Sequence, residues 1–410
     1  MIIAICSLLL IAYLFDLSSS KTRIPSVILL LLLGWVVRQI TQLLKIQLPD
    51  FSPILPALGT VGLILIVLEG SLELELNKSK LGLISKSFFG AFFPLLVIAA
   101  LLAWLFNYFG HFSIKDSLLN AIPFAVISSS IAIPSVKSLP TAPKEFVIYE
   151  SSLSDIVGVL FFNFMVFNEH VDSRSFAHFG LELAVMIAIS FVASILLAVL
   201  LSKIEHHIKF VPITLLVILI YTVAKIYHLP ALLFILLFGL FIGNLDEMKH
   251  IKWIKRFKPA ELNKEVQKFK ELTVEGAFLV RALFFLLFGY LLETGEILNT
   301  ATLGWSIGIV AIILVLRVIQ LKLSKLPLVP LAFIAPRGLI TILLFLSIPA
   351  ARQISLVNKS LIIQVIVLTA LAMMVGLLLT GNKEEDTSIP AIDQQTALPE
   401  DEMVRDGGTI

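Results

Sequence analysis

The sequence predicts an all-α polytopic membrane protein of about thirteen transmembrane helices, arranged as inverted-topology repeats with two discontinuous, crossed helices. Three observations carry that reading. Of 410 residues, 58% are hydrophobic and only 15% are charged, against about a quarter charged in soluble domains. Apolar runs of about 17 to 25 residues, the length of a bilayer-spanning helix, recur from end to end. Two of these runs are interrupted mid-span by proline together with serine or glycine. A β-barrel is excluded, because its strands would be short and alternating.

The spans fall at roughly 2–15, 24–38, 53–70, 87–109, 117–136, 146–168, 179–202, 210–227, 229–244, 272–292, 301–321, 327–349 and 359–380. Only the turn around Leu229 and Pro230 separates the eighth from the ninth, so twelve spans is the alternative. The first span has no positive region before it and reads as a retained helix, not a cleaved signal peptide. Cys6, the single cysteine, rules out an internal disulfide and reads as a small apolar residue of that span.

Charge placement orients the chain. Loops that follow odd-numbered spans carry nineteen lysines and arginines, including Lys21, Arg23, Lys78, Lys80, Lys86 and eight between Lys249 and Lys270. Loops that follow even-numbered spans carry seven: Arg38, Lys45, Lys115, Arg174, Lys225, Arg352 and Lys359. The positive-inside rule puts the odd loops and the C-terminal tail in the cytoplasm and the N-terminus outside. Residues 1–380 then form one transmembrane domain. Its first repeat covers about 24–168, a linking span about 179–202, and the second repeat about 210–380.

Between the repeats, the loop 245–271 patterns as an amphipathic interfacial helix broken near Pro259. Its apolar positions are Met248, Ile251, Ile254 and Phe257, then Leu262, Val266 and Phe269. Residues 381–410 are polar and acidic and read as a disordered tail. The one basic cluster lies in a loop between spans, so nothing points to nucleic acid.

The fifth span contains Pro123, Ser128, Ser129, Ser130 and Pro134, so its backbone is expected to unwind between the prolines. The twelfth contains Pro336, Arg337 and Gly338. Irregular backbone at bilayer depth is tolerated only where protein or a wet cavity lines it. The two breaks lie seven spans apart, an odd offset, so they cross the membrane in opposite directions. Paired discontinuous helices in inverted repeats point to a midplane transport site.

Ionisable groups inside spans are costly and are functional by default. Asp155 sits mid-span in the sixth helix among Ile156, Val157 and Val159. In an apolar setting a carboxylate holds either a proton or a hard monovalent cation, but not both. Ser151, Ser152 and Ser154, with Ser128, Ser129 and Ser130 of the fifth span, could add oxygen ligands. Glu150 lies five residues before Asp155, well off its face at about 100° per residue. It needs a partner, for which Arg317 is the first choice and Arg281 the second; alternatively Glu150 only orders the helix entrance. Arg337, at the second break, compensates helix dipoles or staples backbone carbonyls. Glu69 and Glu275 read as interfacial, and His206 and His207 as solvated loop residues.

Glu150-Ser-Ser-Leu-Ser154-Asp155 resembles the sixth-helix motif of the monovalent cation/proton antiporter superfamily, Glu-Ser-x-x-Asn-Asp, whose final Asp binds the ion. Pro336-Arg337-Gly338, Ser128-Ser129-Ser130-Ile131-Ala132, and Phe284-Phe285 with Gly289 resemble other motifs of that superfamily. Together they imply the sodium/proton antiporter fold over residues 1 to about 380, with Arg317 as the basic residue of the eleventh helix. Ser154 stands where relatives have Asn or a second Asp. Absence of the second Asp goes with electroneutral members, and one titrating carboxylate gives the same stoichiometry independently. The fifth span also lacks the Thr-Asp-Pro of many relatives.

The expectation is therefore a bacterial-type inner-membrane antiporter exchanging Na+, or K+ or Li+, for H+ one for one. Asp155 is its cation and proton site. It needs no cofactor beyond the transported ions and is not an enzyme. Its partners are monovalent cations, protons and the bilayer, and the resemblance implies a homodimer. The alternatives are a channel-like uniporter or a non-transporting membrane sensor on the same fold.

Overall fold

The computed structural model describes residues 2–46, 49–74, 80–137, 139–168, 172–203, 209–245 and 259–379. Lys78, His206, His207, the loop positions Met248 to Phe257 and the acidic tail lie outside the described residues. Among the described residues there is no strand. The helices are α1 (Ile2–Thr22), α2 (Ser26–Leu43), α3 (Leu55–Glu73), α4 (Leu81–Gly110), α5 (Ile114–Ala125), α6 (Ser129–Ser135), α7 (Thr141–Phe167) and α8 (Ser173–Lys203). They continue with α9 (Phe210–Ile226), α10 (Ala231–Gly243), α11 (Pro259–Tyr290), the single turn α12 (Thr294–Ile297), α13 (Thr300–Leu323), α14 (Leu339–Leu346) and α15 (Lys359–Leu379).

Nine segments among the described residues are long and apolar enough to cross a bilayer, and α1, α9 and α10 contribute shorter apolar stretches. Each sequence-defined span has its counterpart, with α5 and α6 as the two halves of the fifth. The turn at Leu229 and Pro230 separates α9 from α10, so the eighth and ninth spans are distinct helices.

Two local readings change. Pro259 is the first residue of α11, which runs on unbroken to Tyr290, so Leu262, Val266 and Phe269 belong to that helix; the positions before Pro259 lie outside the described residues. Proline suits that place, because the first N–H of a helix has no intrahelical partner. Val266 and Phe269 are therefore buried positions of the tenth span's own helix. The twelfth segment is helical only in its second half. Residues 326–338 run as turns and extended chain into α14.

The helices pack in two groups. In one, α4 lies against α5, α7 and α13, and α15 lies against α13 and α14. In the other, α11 lies against α2 and α3, and α10 against α3, α8 and α9. Helix α3 also touches α6, α7 and α14, so it forms the seam between the groups. Apolar side chains gain little by leaving lipid, so close backbone approach at small residues does much of the holding. Between α2 and α11 the approach is through glycine. A Cβ on Gly34 would sit 2.2 Å from the Leu286 carbonyl oxygen, and one on Gly289 2.4 Å from that of Leu31.

Gly289→Ala must force this pair of helices apart. It is expected to cost about 1–3 kcal/mol, the usual penalty of overpacking. The check is a lowered unfolding temperature in detergent, and an unchanged Tm would mean that α2 and α11 do not pack this closely.

Candidate functional site

The chain leaves helical geometry at Val126–Ser128, between Pro123 and Pro134. Four of the backbone groups freed there have partners outside their own helix. The Ile127 N–H donates to Ser154 Oγ at 2.9 Å, and the Ser128 N–H donates to the Pro336 carbonyl at 2.9 Å. The carbonyls of Phe124 and Ala125, which end α5, accept from Arg337 Nε at 2.7 Å and Nη2 at 3.3 Å. The two broken segments thus cross and complete each other. Gly338 makes the crossing close, since a Cβ there would lie 2.6 Å from Ile131 Cδ1 and 2.9 Å from Ser128 Oγ.

Arg337 is fully buried at 0% exposure and touches no carboxylate among the described residues. Its Nη1 also donates to the Ala335 carbonyl at 2.6 Å, and its own N–H donates to Thr369 Oγ1 at 3.1 Å. A cation at the C-terminal end of α5 meets the negative end of that helix's dipole. The carbonyl staple and the dipole compensation are one interaction.

Asp155 is 1% exposed. Its Oδ2 accepts from the Ser129 hydroxyl, and from the Ser129 N–H at 3.3 Å, where α6 begins. Its Oδ1 has no hydrogen-bond partner. The other serines divide. Ser128 and Ser130 bond to each other at 2.8 Å, and Ser154 is engaged by the Ile127 N–H. Ser151 turns back to the Ile148 carbonyl at 3.4 Å. Of the serines named from sequence, only Ser129 is hydrogen-bonded to Asp155.

Glu150 faces elsewhere on α7, as the helical offset requires. It is 1% exposed and held at both oxygens by Arg317, with Nη2 to Oε2 at 2.7 Å. Gln320, one turn further along α13, donates to Glu150 Oε1 at 2.6 Å and accepts from Arg317 Nη1 at 3.0 Å. Arg317 Nε donates to the Leu331 carbonyl at 3.1 Å, and the guanidinium lies 5.9 Å from the centre of the Phe146 ring. Gly90 of α4 admits this network, because a Cβ there would lie 2.8 Å from Gln320 Nε2 and 2.9 Å from Glu150 Oε1. Between the network and the crossing lies a cavity lined by Ile127, Ser154, Arg317, Gln320 and Arg337. Its volume is only about 10 Å³, room for at most a single water.

Arg281 does not reach Glu150; it faces Glu69 at 3.8 Å. Glu69 is 7% exposed, so its interfacial reading is corrected: α3 and α11 enclose it in the second group. Glu275 is exposed, as read. Sequence reasoning did not name Gln320, Gly90 or Thr369. Gln320 had a signal, its i+3 spacing from Arg317; Gly90 and Thr369 had none. A larger cavity of about 410 Å³ lies near the end of α7, lined by Asn163, Phe167, His178, Glu182 and His228, and does not include Asp155.

This arrangement suits one chemistry. A single buried carboxylate, with one oxygen free and no cationic partner, sits where two broken helices cross. It can take up a proton or a desolvated cation alternately.

Comparison with known proteins gives the family and the fold. The family described as "Sodium/hydrogen exchanger, transmembrane" matches residues 6–381. Two solved structures of the sodium proton antiporter MjNhaP1 from Methanocaldococcus jannaschii share the fold. One, at pH 8, has a TM-score of 0.64 at 19% identity, covering 92% of this chain and 96% of that one. The other has a TM-score of 0.67 at 17% identity, covering 92% and 95%. No curated protein matches this chain.

Arg317→Met would leave Glu150 buried without its cation. The expected cost is about 3–5 kcal/mol, measured as loss of thermal stability in detergent. Adding Glu150→Gln to that variant should recover part of the loss, and a wild-type Tm in the single variant would mean the pair carries no stability.

Proposed function

The chain belongs to the sodium/hydrogen exchanger family, and from that premise we propose that it exchanges one monovalent cation for one proton at Asp155 by alternating access. Cation/proton exchange across a membrane is the activity of the family. The finer reading rests on one observation: Asp155 is buried at the crossing with Oδ1 unpartnered and no cationic side chain against it. Na+ is the favoured cation, with K+ and Li+ as the other candidates.

Stoichiometry follows from charge. Glu150 is neutralised by Arg317, and Glu69 faces Arg281. Of the buried carboxylates among the described residues, Asp155 alone is left to change its load, and one proton or one Na+ brings the same charge. Exchange of one for the other moves no net charge. The serines around the break supply the neutral oxygens that a hard cation takes in place of water, with Ser129 already on the carboxylate. The group containing α5, α6, α7 and α14 is the moving unit in this reading, and the group built on α3, α10 and α11 is the scaffold. The protein works as a multi-pass inner-membrane homodimer, N-terminus outside and C-terminus in the cytoplasm.

The test is exchange in proteoliposomes, followed with a pH-sensitive dye under Na+, K+ and Li+ gradients. Asp155→Asn is expected to abolish cation-driven proton flux while the protein still folds. Flux that survives in this variant, or that ignores an opposing proton gradient, would sink the reading. For electroneutrality, an imposed membrane potential should leave the wild-type exchange rate unchanged. A potential that drives net exchange would exclude one-for-one stoichiometry.

A further inference from the structure

The face of α7 that carries Asp155 carries a second buried oxygen. Ser152 lies three residues earlier, so its side chain neighbours that of Asp155 on the helix surface. It is 1% exposed, and its Oγ has no hydrogen-bond partner. Helical serines usually turn back on a carbonyl of the preceding turn, as Ser71, Ser135, Ser151 and Ser190 do here. Ser117 and Ser194 also keep unpartnered hydroxyls, but neither shares a helix with Asp155.

The surroundings of Ser152 give its hydroxyl a direction. A Cβ on Gly70 of α3 would lie 2.8 Å from Ser152 Oγ and 3.4 Å from Ile133 Cδ1. Ile133 is one turn past Ser129 on α6, and Ser152 is about one turn before Asp155 on α7. Ser152 therefore marks one step from the crossing along the seam with α3. Glu69 comes next on α3, with Glu73, Lys137 and Asp16 within its electrostatic reach. By the charge rule this is the cytoplasmic end of the seam.

We propose that Ser152 is a cation ligand: its Oγ and Asp155 Oδ1, two unpartnered oxygens on one face of α7, together take the desolvated alkali cation on the side facing α3. A hydroxyl and a carboxylate are hard oxygen donors of the kind such ions prefer. Ser151 donates to the Ile148 carbonyl and Ser154 accepts from the Ile127 N–H, whereas the Ser152 hydroxyl makes no hydrogen bond that a cation would have to share. The six-residue motif that this chain resembles leaves the position unspecified. Gly70 has a matching role, because any side chain there would cover the hydroxyl.

The proposal rests on Asp155 being the exchange site, and its test separates the two. The full chain in proteoliposomes is titrated with Na+, Li+ and K+. Ser152→Ala is expected to raise KM for the preferred cation about fivefold or more with kcat nearly unchanged, as loss of one neutral oxygen ligand implies. Ser152→Cys keeps the volume but replaces hard oxygen by soft sulfur, and should shift KM the same way. Neither variant loses a hydrogen bond, so the unfolding temperature without cation should not fall. A wild-type KM in both variants, with Asp155→Asn inactive, overturns Ser152 as a ligand. Exchange that persists in Asp155→Asn overturns the assignment of Asp155 itself.

Discussion

Backbone released from a helix at bilayer depth must find partners inside the protein, and that constraint organises this molecule. Val126–Ser128 and the chain leading to Gly338 are each unacceptable alone. Crossed, they satisfy each other: Ser128 donates to Pro336, and Arg337 takes the carbonyls that end α5. Helix α7 closes the remaining gap through Ser154. Because the same helix carries Asp155, the carboxylate is fixed beside the break by the bonds that make the break tolerable.

The three arginines within spans show three ways of keeping a guanidinium out of water. Arg317 is held by a carboxylate, an amide and a carbonyl, each of its three guanidinium nitrogens donating within 3.1 Å. Arg337 is satisfied by carbonyls at a helix end and leaves carboxylates alone. Arg281 faces Glu69 more loosely, at 3.8 Å. The common result is that no arginine among the described residues lies against Asp155. A guanidinium there would occupy the carboxylate oxygens, so the separation of roles leaves Asp155 without a fixed cation.

Glycine connects this chemistry to the fold. Gly90 gives room to the Glu150 network, Gly158 brings α7 within 2.3 Å of where a Cβ would meet Val126, and Gly70 keeps α3 thin beside Ser152. Gly90 and Gly70 lie beside buried polar groups, and Gly158 lies beside the broken segment at Val126; a methyl at each would displace what it faces.

Much was legible from sequence, for physical reasons. Span count follows from the cost of polar residues in lipid, which forces long apolar runs. The breaks follow from Pro123, Pro134, Pro336 and Gly338, whose backbone limits are local. Glu150 and Asp155 could be assigned to different faces because helical geometry fixes a five-residue offset. Only the tertiary structure could decide partners. That Arg317 reaches Glu150 while Arg281 reaches Glu69 depends on helices distant in the chain, and burial of Glu69 depends on α11 covering α3. The serines illustrate the division best. Their hydroxyls look alike in sequence, yet packing commits Ser151 and Ser154 to backbone, sets Ser129 on Asp155, and leaves Ser152 free, because a hydroxyl's partner is whatever the neighbouring helix brings within reach.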